Sequence, residues 1–289
     1  MGLGIAGACA EAGCDVVLLD LEREACDQAL PRLLAGKNPA VQDPAALDRI
    51  RTGSFDSDMA LIADCDWICE AVVEDLEIKQ AILSQADKVR TPGTFISTNT
   101  SGIPLADISR GVPDSLLADI AVTHFFNPVH IMKLVEVVPG TSTRPEVMTS
   151  LADFLGGALG KGVVYAKDTV NFIGNRIGCL WINVGLAYGV HAVTSDGPSI
   201  ESVDALLGEP VGLPPTGLFG LVDLVGLDVI VNVNRNLATN LPPGDRARKF
   251  LDLPGKVTAM ASRGQLGRCL LYTSPSPRDI SAYLVCRLL

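Results

Sequence analysis

Apolar positions in the first half of the chain follow two alternating patterns. Short continuous runs, of the kind that form buried strands, lie at Cys14 to Asp20, Asp66 to Glu74, Thr94 to Gly102, Ile120 to Val122, Leu134 to Val138 and Val163 to Tyr165. Between them, apolar residues recur at helical spacing over Met1 to Gly13, Leu21 to Ala35, Asp58 to Ala63, Asp75 to Leu83 and Pro145 to Leu159. Gly36-Lys37-Asn38-Pro39 stops one of these helices, and Asp43-Pro44 opens a short one reaching about Arg51. Strand alternating with helix predicts an α/β fold, a mainly parallel sheet with helices on both faces. After Pro139-Gly140 the pattern changes. A long apolar helix from Phe172 to about Thr194 and another from Ile200 to Leu207 predict an all-helical second domain, with the hinge at Lys167-Asp168.

The opening helix, the strand after it and that strand's terminal Asp20 read as the second half of a Rossmann-type βαβ unit. An acid there accepts hydrogen bonds from the adenosine ribose and repels a 2′-phosphate, which points to NAD over NADP. A full fingerprint has a preceding strand and G-x-G-x-x-G. Of these the chain carries only what fits the last glycine, Gly2, with Gly4 behind it. The expectation is a sheet without its first strand, leaving two strand edges unpaired.

Composition narrows the classes. A formal net charge of −10 argues against a nucleic-acid surface, and no uninterrupted apolar stretch has the length of a membrane span. The eight cysteines form no C-x-x-C pair and no histidine stands near a cysteine pair, so reduced thiols, a cytoplasmic setting and no metal site are expected.

The candidate chemistry gathers around Thr123-His124-Phe125-Phe126-Asn127-Pro128. Glu136 interrupts the next apolar run, and a carboxylate in a buried strand needs a partner. His124 is the natural one: a carboxylate on one ring nitrogen fixes the tautomer and leaves the other to take or give a proton. The same residues also fit a hydrogen-bonded core histidine beside a solvent-facing glutamate. Glu74 ends its strand at the carboxyl edge, where open parallel sheets bind ligands, and Lys79 follows one turn into a helix. Ser101 also lies at a carboxyl edge, either facing a substrate oxygen or in an ordinary Ser-Gly turn.

Taken with Met1 to Ala6, Glu70 to Lys79, Asn99 to Pro104, His124 to Pro128, Lys133 to Val137 and Ala166 to Arg176, the chain resembles the 3-hydroxyacyl-CoA dehydrogenase family. More narrowly, it is similar to bacterial members in which an enoyl-CoA hydratase domain follows. The resemblance covers about residues 1–268 and implies an NAD-linked oxidation of (S)-3-hydroxyacyl-CoA to 3-oxoacyl-CoA in fatty-acid β-oxidation. It assigns His124 as base, Glu136 as its orienting carboxylate, and Ser101 and Asn175 as groups around the substrate's C3 oxygen. Gly2, Asp20, Glu74, Lys79, Ser101 and Asn127 match positions lining the NAD site. It implies domains at 1–167 and 168–268, an acyl-CoA substrate, and a homodimer through the helical domain. In that domain Phe219 to Val229 resembles an interface helix of related enzymes. Val170 stands where the family usually has proline, and residues 269–289 depart from the family pattern, so they are expected to be foreign to the fold and disordered. A dinucleotide- or CoA-binding module without turnover is the second reading, motivated by the incomplete glycine loop.

Overall fold

The computed structural model describes residues 1–195, 197–213 and 215–267, and the backbone of a strand at Tyr283–Leu288. The chain divides at Phe172: one unit holds the residues up to Phe172 together with that strand, and the other begins at Ile173. The break falls five residues beyond the expected 167.

In the first unit the apolar runs become the strands β1 (Asp15–Asp20), β2 (Ile50–Ser54), β3 (Trp67–Ala71), β4 (Phe95–Thr98), β5 (Ile120–Phe125), β6 (Leu134–Pro139) and β7 (Gly162–Tyr165), with β8 at Tyr283–Leu288. Their order across the sheet is β2-β1-β8-β3-β4-β5-β6-β7. The pairs β1–β2, β3–β4, β4–β5 and β6–β7 are parallel, whereas β5–β6 is antiparallel. The helices are α1 (Gly2–Glu11), α2 (Arg23–Ala29), α3 (Phe55–Asp58), α4 (Leu76–Val89), α5 (Leu105–Ser109), α6 (Asp114–Leu117) and α7 (Pro145–Asp153). Two apolar clusters carry the packing. One joins Ile5 and Cys9 of α1 to Val16, Leu18, Trp67 and Val135; the other joins Val17, Leu19 and Ile68 to Ile82, Leu83, Leu105 and Ile120. Alternate residues of β1 fall in different clusters, which is why its run is apolar throughout.

Four sequence expectations change here. The sheet has no unpaired gap beside β1, because β8 lies antiparallel between β1 and β3, with Leu284 opposite both Leu19 and Glu70. Backbone donors and acceptors at a sheet's centre need partners, and an extended segment of either direction supplies them. Residues 269–289 are therefore not wholly disordered as expected: Tyr283–Leu288 is a strand, while 269–282 and 289 lie outside the described residues. The polar stretch Ile50–Ser54, whose first residues are expected to end a helix at about Arg51, is β2, an edge strand that among the described residues pairs only with β1. The helix expected over Leu21 to Ala35 tightens into a 3-10 turn at Leu30–Leu34, with Pro31 inside it.

The second unit contains α8 (Gly174–Thr194), α9 (Ile200–Leu206), α10 (Gly217–Val225), α11 (Leu227–Asn240) and α12 (Gly255–Ser262). The single helix expected over Phe219 to Val229 is two, bent by 90° at Gly226, whose φ of 101° is open to glycine. The long helix starts after Phe172, not at it, because Asn171 and Phe172 take left-handed φ values of 60° and 48°. By length and composition α8 could cross a membrane, although Asn183 and His191 interrupt its apolar sequence. Its Ile182 and Leu186 cluster with Val222, Leu227 and Ile230, and its Asn183 exchanges amide hydrogen bonds of 2.8 and 3.0 Å with Asn234 of α11.

Cys9, Cys14, Cys26, Cys65, Cys69 and Cys179 are free thiols. Burial pushes the Cys26 and Cys69 thiols up to about 12. Neutral thiols do not attack alkylating agents. Iodoacetamide at a mildly alkaline pH is therefore expected to leave both unlabelled in the native protein and to label both in denaturant, read by peptide mass spectrometry; labelling in the native protein would contradict their burial.

Candidate active site

The antiparallel register of β5 and β6 sets His124 directly opposite Glu136. Side chains opposite one another share a face of the sheet, so the imidazole and carboxylate meet without further adjustment. His124 Nδ1 lies 2.8 Å from Glu136 Oε2, with Glu136 fully buried and His124 2% exposed. With the carboxylate ionised, Nδ1 donates and Nε2 is left to accept. Nε2 lies 3.1 Å from Ser101 Oγ. Phe126 and Phe172 stack obliquely on the imidazole with centroids 4.6 and 5.5 Å away, which limits water at the ring. The alternative of a core histidine beside a solvent-facing glutamate does not describe this arrangement.

Ser101 reaches this position because β4 runs parallel to β5 and both end at the same edge. The turn that follows β4 is tied to Glu74. Glu74 Oε1 accepts from Thr100 Oγ1 at 2.7 Å, Ser101 N at 2.8 Å, Gly102 N at 2.7 Å and Ile103 N at 3.3 Å. Lys79 Nζ faces Glu74 Oε2 at 3.3 Å and Glu70 Oε1 at 2.9 Å. Lys79 is fully buried, and its ammonium is engaged by the two acids. Burial alone would lower it, but Glu70 and Glu74 outweigh that and hold its pKa above the usual lysine value.

Glu70 is the residue the sequence reading passed over. It sits in the middle of β3, fully buried, and besides Lys79 it accepts from Val72 N at 2.7 Å and from Thr98 Oγ1 at 2.5 Å. The signal that exposed Glu136, one acid inside an apolar run, was present at Glu70 as well.

The remaining expected positions also gather at this edge or lie elsewhere. Asp20 ends β1, 1% exposed, with Oδ1 accepting from Leu21 N at 2.7 Å. Gly2 is buried at the first position of α1, and a Cβ on Gly4 would come within 3.1 Å of Val129, so the first turn of α1 lies against the loop after β5. Asn127 is exposed in that loop. Asn175 lies in the first turn of α8, in the second unit. A buried acid at the end of β1, a helix N-terminus on the same edge, and hydroxyl and amide side chains beyond β4 and β5 form a donor and acceptor set that fits a dinucleotide. No cluster of three or more His, Cys, Asp or Glu residues placed to hold a metal occurs among the described residues.

Residues 1–169 match the 3-hydroxyacyl-CoA dehydrogenase NAD binding domain, and residues 172–268 match the 3-hydroxyacyl-CoA dehydrogenase C-terminal domain. A probable 3-hydroxyacyl-CoA dehydrogenase of Bacillus subtilis is 34% identical over 92% of this chain, which spans 36% of that protein's length. One from Deinococcus radiodurans is 32% identical over 84% of this chain and 71% of its own length. The solved (S)-3-hydroxybutyryl-CoA dehydrogenase of Ralstonia eutropha is 27% identical, with a TM-score of 0.73 over 93% of this chain and 92% of that one.

Proposed function

Because the chain belongs to the 3-hydroxyacyl-CoA dehydrogenase family, we propose that it interconverts (S)-3-hydroxyacyl-CoA and 3-oxoacyl-CoA with NAD, in fatty-acid β-oxidation. The observation that carries this reading is His124, held by Glu136 on one nitrogen and facing Ser101 with the other. Bound NAD would supply the hydride acceptor, held by Asp20 at the adenosine ribose and by the edge bearing Gly2, Glu74, Ser101 and Asn127. His124 Nε2 takes the proton from the substrate's C3 hydroxyl in oxidation and returns it in reduction. Glu136 keeps the ring in the tautomer that this transfer needs and stabilises the imidazolium it produces. The Ser101 hydroxyl, within hydrogen-bond reach of Nε2, marks where the C3 oxygen is held in line with the ring. Asn175 is assigned to the same oxygen through the family resemblance.

The setting is cytoplasmic in this proposal, and the assembly is a homodimer through the helical domain. Ile177, Leu180 and Tyr188 leave an apolar face on α8 that supports the second point. Acetoacetyl-CoA reduction followed by loss of NADH tests the function, and Asp20→Ala tests the cofactor assignment. Losing a hydrogen bond to a charged group costs about 1.5–3 kcal/mol, so KM for NADH is expected to rise roughly 10- to 100-fold. NADPH, which gains no such bond from Asp20, should be affected less, and the preference narrows. Equal rates with NADH and NADPH in the unsubstituted protein would contradict the role of Asp20.

A further inference from the structure

Glu74 divides its two carboxylate oxygens between different tasks. Oε1 accepts from four donors of the turn at residues 100–103, three of them successive backbone amides, while Oε2 faces Lys79. A group that only lined a cofactor site would not need to spend one oxygen on a turn. Lys79 in turn is fixed by Glu70, which lies in the core of β3 and is itself fixed by Val72 N and Thr98 Oγ1. The contacts therefore run without interruption from the sheet's interior to the turn that carries Ser101, and Ser101 Oγ ends 3.1 Å from the catalytic imidazole.

We propose that Glu74, anchored by the buried Glu70–Lys79 pair, is a positioning residue that sets the Ser101 hydroxyl against His124. It acts through the turn and not on the reacting atoms. An amide at position 74 would keep one acceptor but would turn an N–H donor either toward the Lys79 ammonium or toward the turn's own N–H donors. Either choice breaks contacts on one side. Charge supports the anchor: burial works to raise the Glu74 carboxyl, but Lys79 and the donors of Thr100, Gly102 and Ser101 outweigh it and hold its pKa below the usual carboxylate value. The side chain is an anion throughout the neutral range.

The inference rests on the dehydrogenase reading for the importance of Ser101, so the test has an arm that needs no turnover. In kinetics, Glu74→Gln is expected to lower kcat on the order of 10- to 100-fold, the scale of a misplaced reacting group, a larger factor than the loss of NADH affinity by fluorescence that follows from its place on the cofactor edge. If Glu74 acts through Ser101, the double variant Glu74→Gln/Ser101→Ala is no slower than Ser101→Ala alone. Isotope-labelled histidine NMR reads the same point without substrate, since the chain has three histidines. The His124 Nε2 resonance in Glu74→Gln is expected to move toward that of Ser101→Ala, and Glu70→Gln should move it in the same direction by less. Weakened NADH binding with kcat unchanged, multiplicative losses in the double variant, or an unmoved His124 resonance would each overturn the proposal. A folded protein without turnover whose His124 resonance shifts as described would reject the dehydrogenase reading and leave the positioning role standing.

Discussion

His124→Gln is expected to lower kcat by about 10²–10⁴-fold, the usual contribution of a positioned general base, while leaving NADH affinity nearly unchanged. Among the described residues, the imidazole is the only group at this edge that combines a ring nitrogen facing Ser101 with a second nitrogen held by a buried carboxylate. Glutamine retains comparable bulk and a donor toward Glu136, so it removes proton transfer more than it removes structure. Glu136→Gln should lower kcat less than that. The amide can still accept from Nδ1, but it no longer stabilises the imidazolium and can orient its N–H against the ring. Steady-state kinetics beside NADH titration by fluorescence check both variants. An unchanged kcat in His124→Gln would remove the histidine from the chemistry.

Lys79→Met should be the most damaging single substitution for stability, by about 3–5 kcal/mol, the cost of leaving one partner of a buried ion pair uncompensated. Glu70 is fully buried and would lose the cation 2.9 Å from its carboxylate. The pH dependence follows from the direction of the lysine shift. A group whose folded pKa is raised stabilises fully below its unfolded value, about 10.4 for lysine, and loses that contribution only as pH rises through the folded value. The difference between wild type and Lys79→Met should therefore hold across the neutral and mildly alkaline range. Glu70→Gln in the Lys79→Met background should recover part of the loss, because the glutamine oxygen still accepts from Val72 N and its amide can donate to the Thr98 hydroxyl while the orphaned charge is removed. Urea unfolding measures all three proteins, and equal midpoints for wild type and Lys79→Met would contradict the buried pair.

Much of the first unit could be read along the chain because β1, β3 and β5 are buried on both faces and α4 carries its own cap. Asp75 caps α4 by accepting from Ile78 N, and the run before it is β3. The His124–Glu136 pair was legible for a related reason, since one acid in an apolar run calls for a partner. Glu70 gave the same signal and went unread, because its partner Lys79 reads as an ordinary helix residue until the fold buries it. The strand β2 was hidden by Arg51, Thr52 and Gly53, polar or small residues that an edge strand tolerates. Nor could apolar spacing show the bend at Gly226, which depends on a backbone angle and not on side-chain pattern. The place of Tyr283–Leu288 in the sheet follows from unpaired backbone at β1 and β3, a long-range effect that no local pattern encodes.

The most direct measurement of the central claim is NADH oxidation by the purified chain on addition of acetoacetyl-CoA, with free acetoacetate as the companion substrate. The expected result is turnover that saturates with the CoA thioester, is much slower with the free acid, and is lost in His124→Gln. A folded chain that binds NADH yet reduces neither substrate would contradict the account and favour a binding module without turnover.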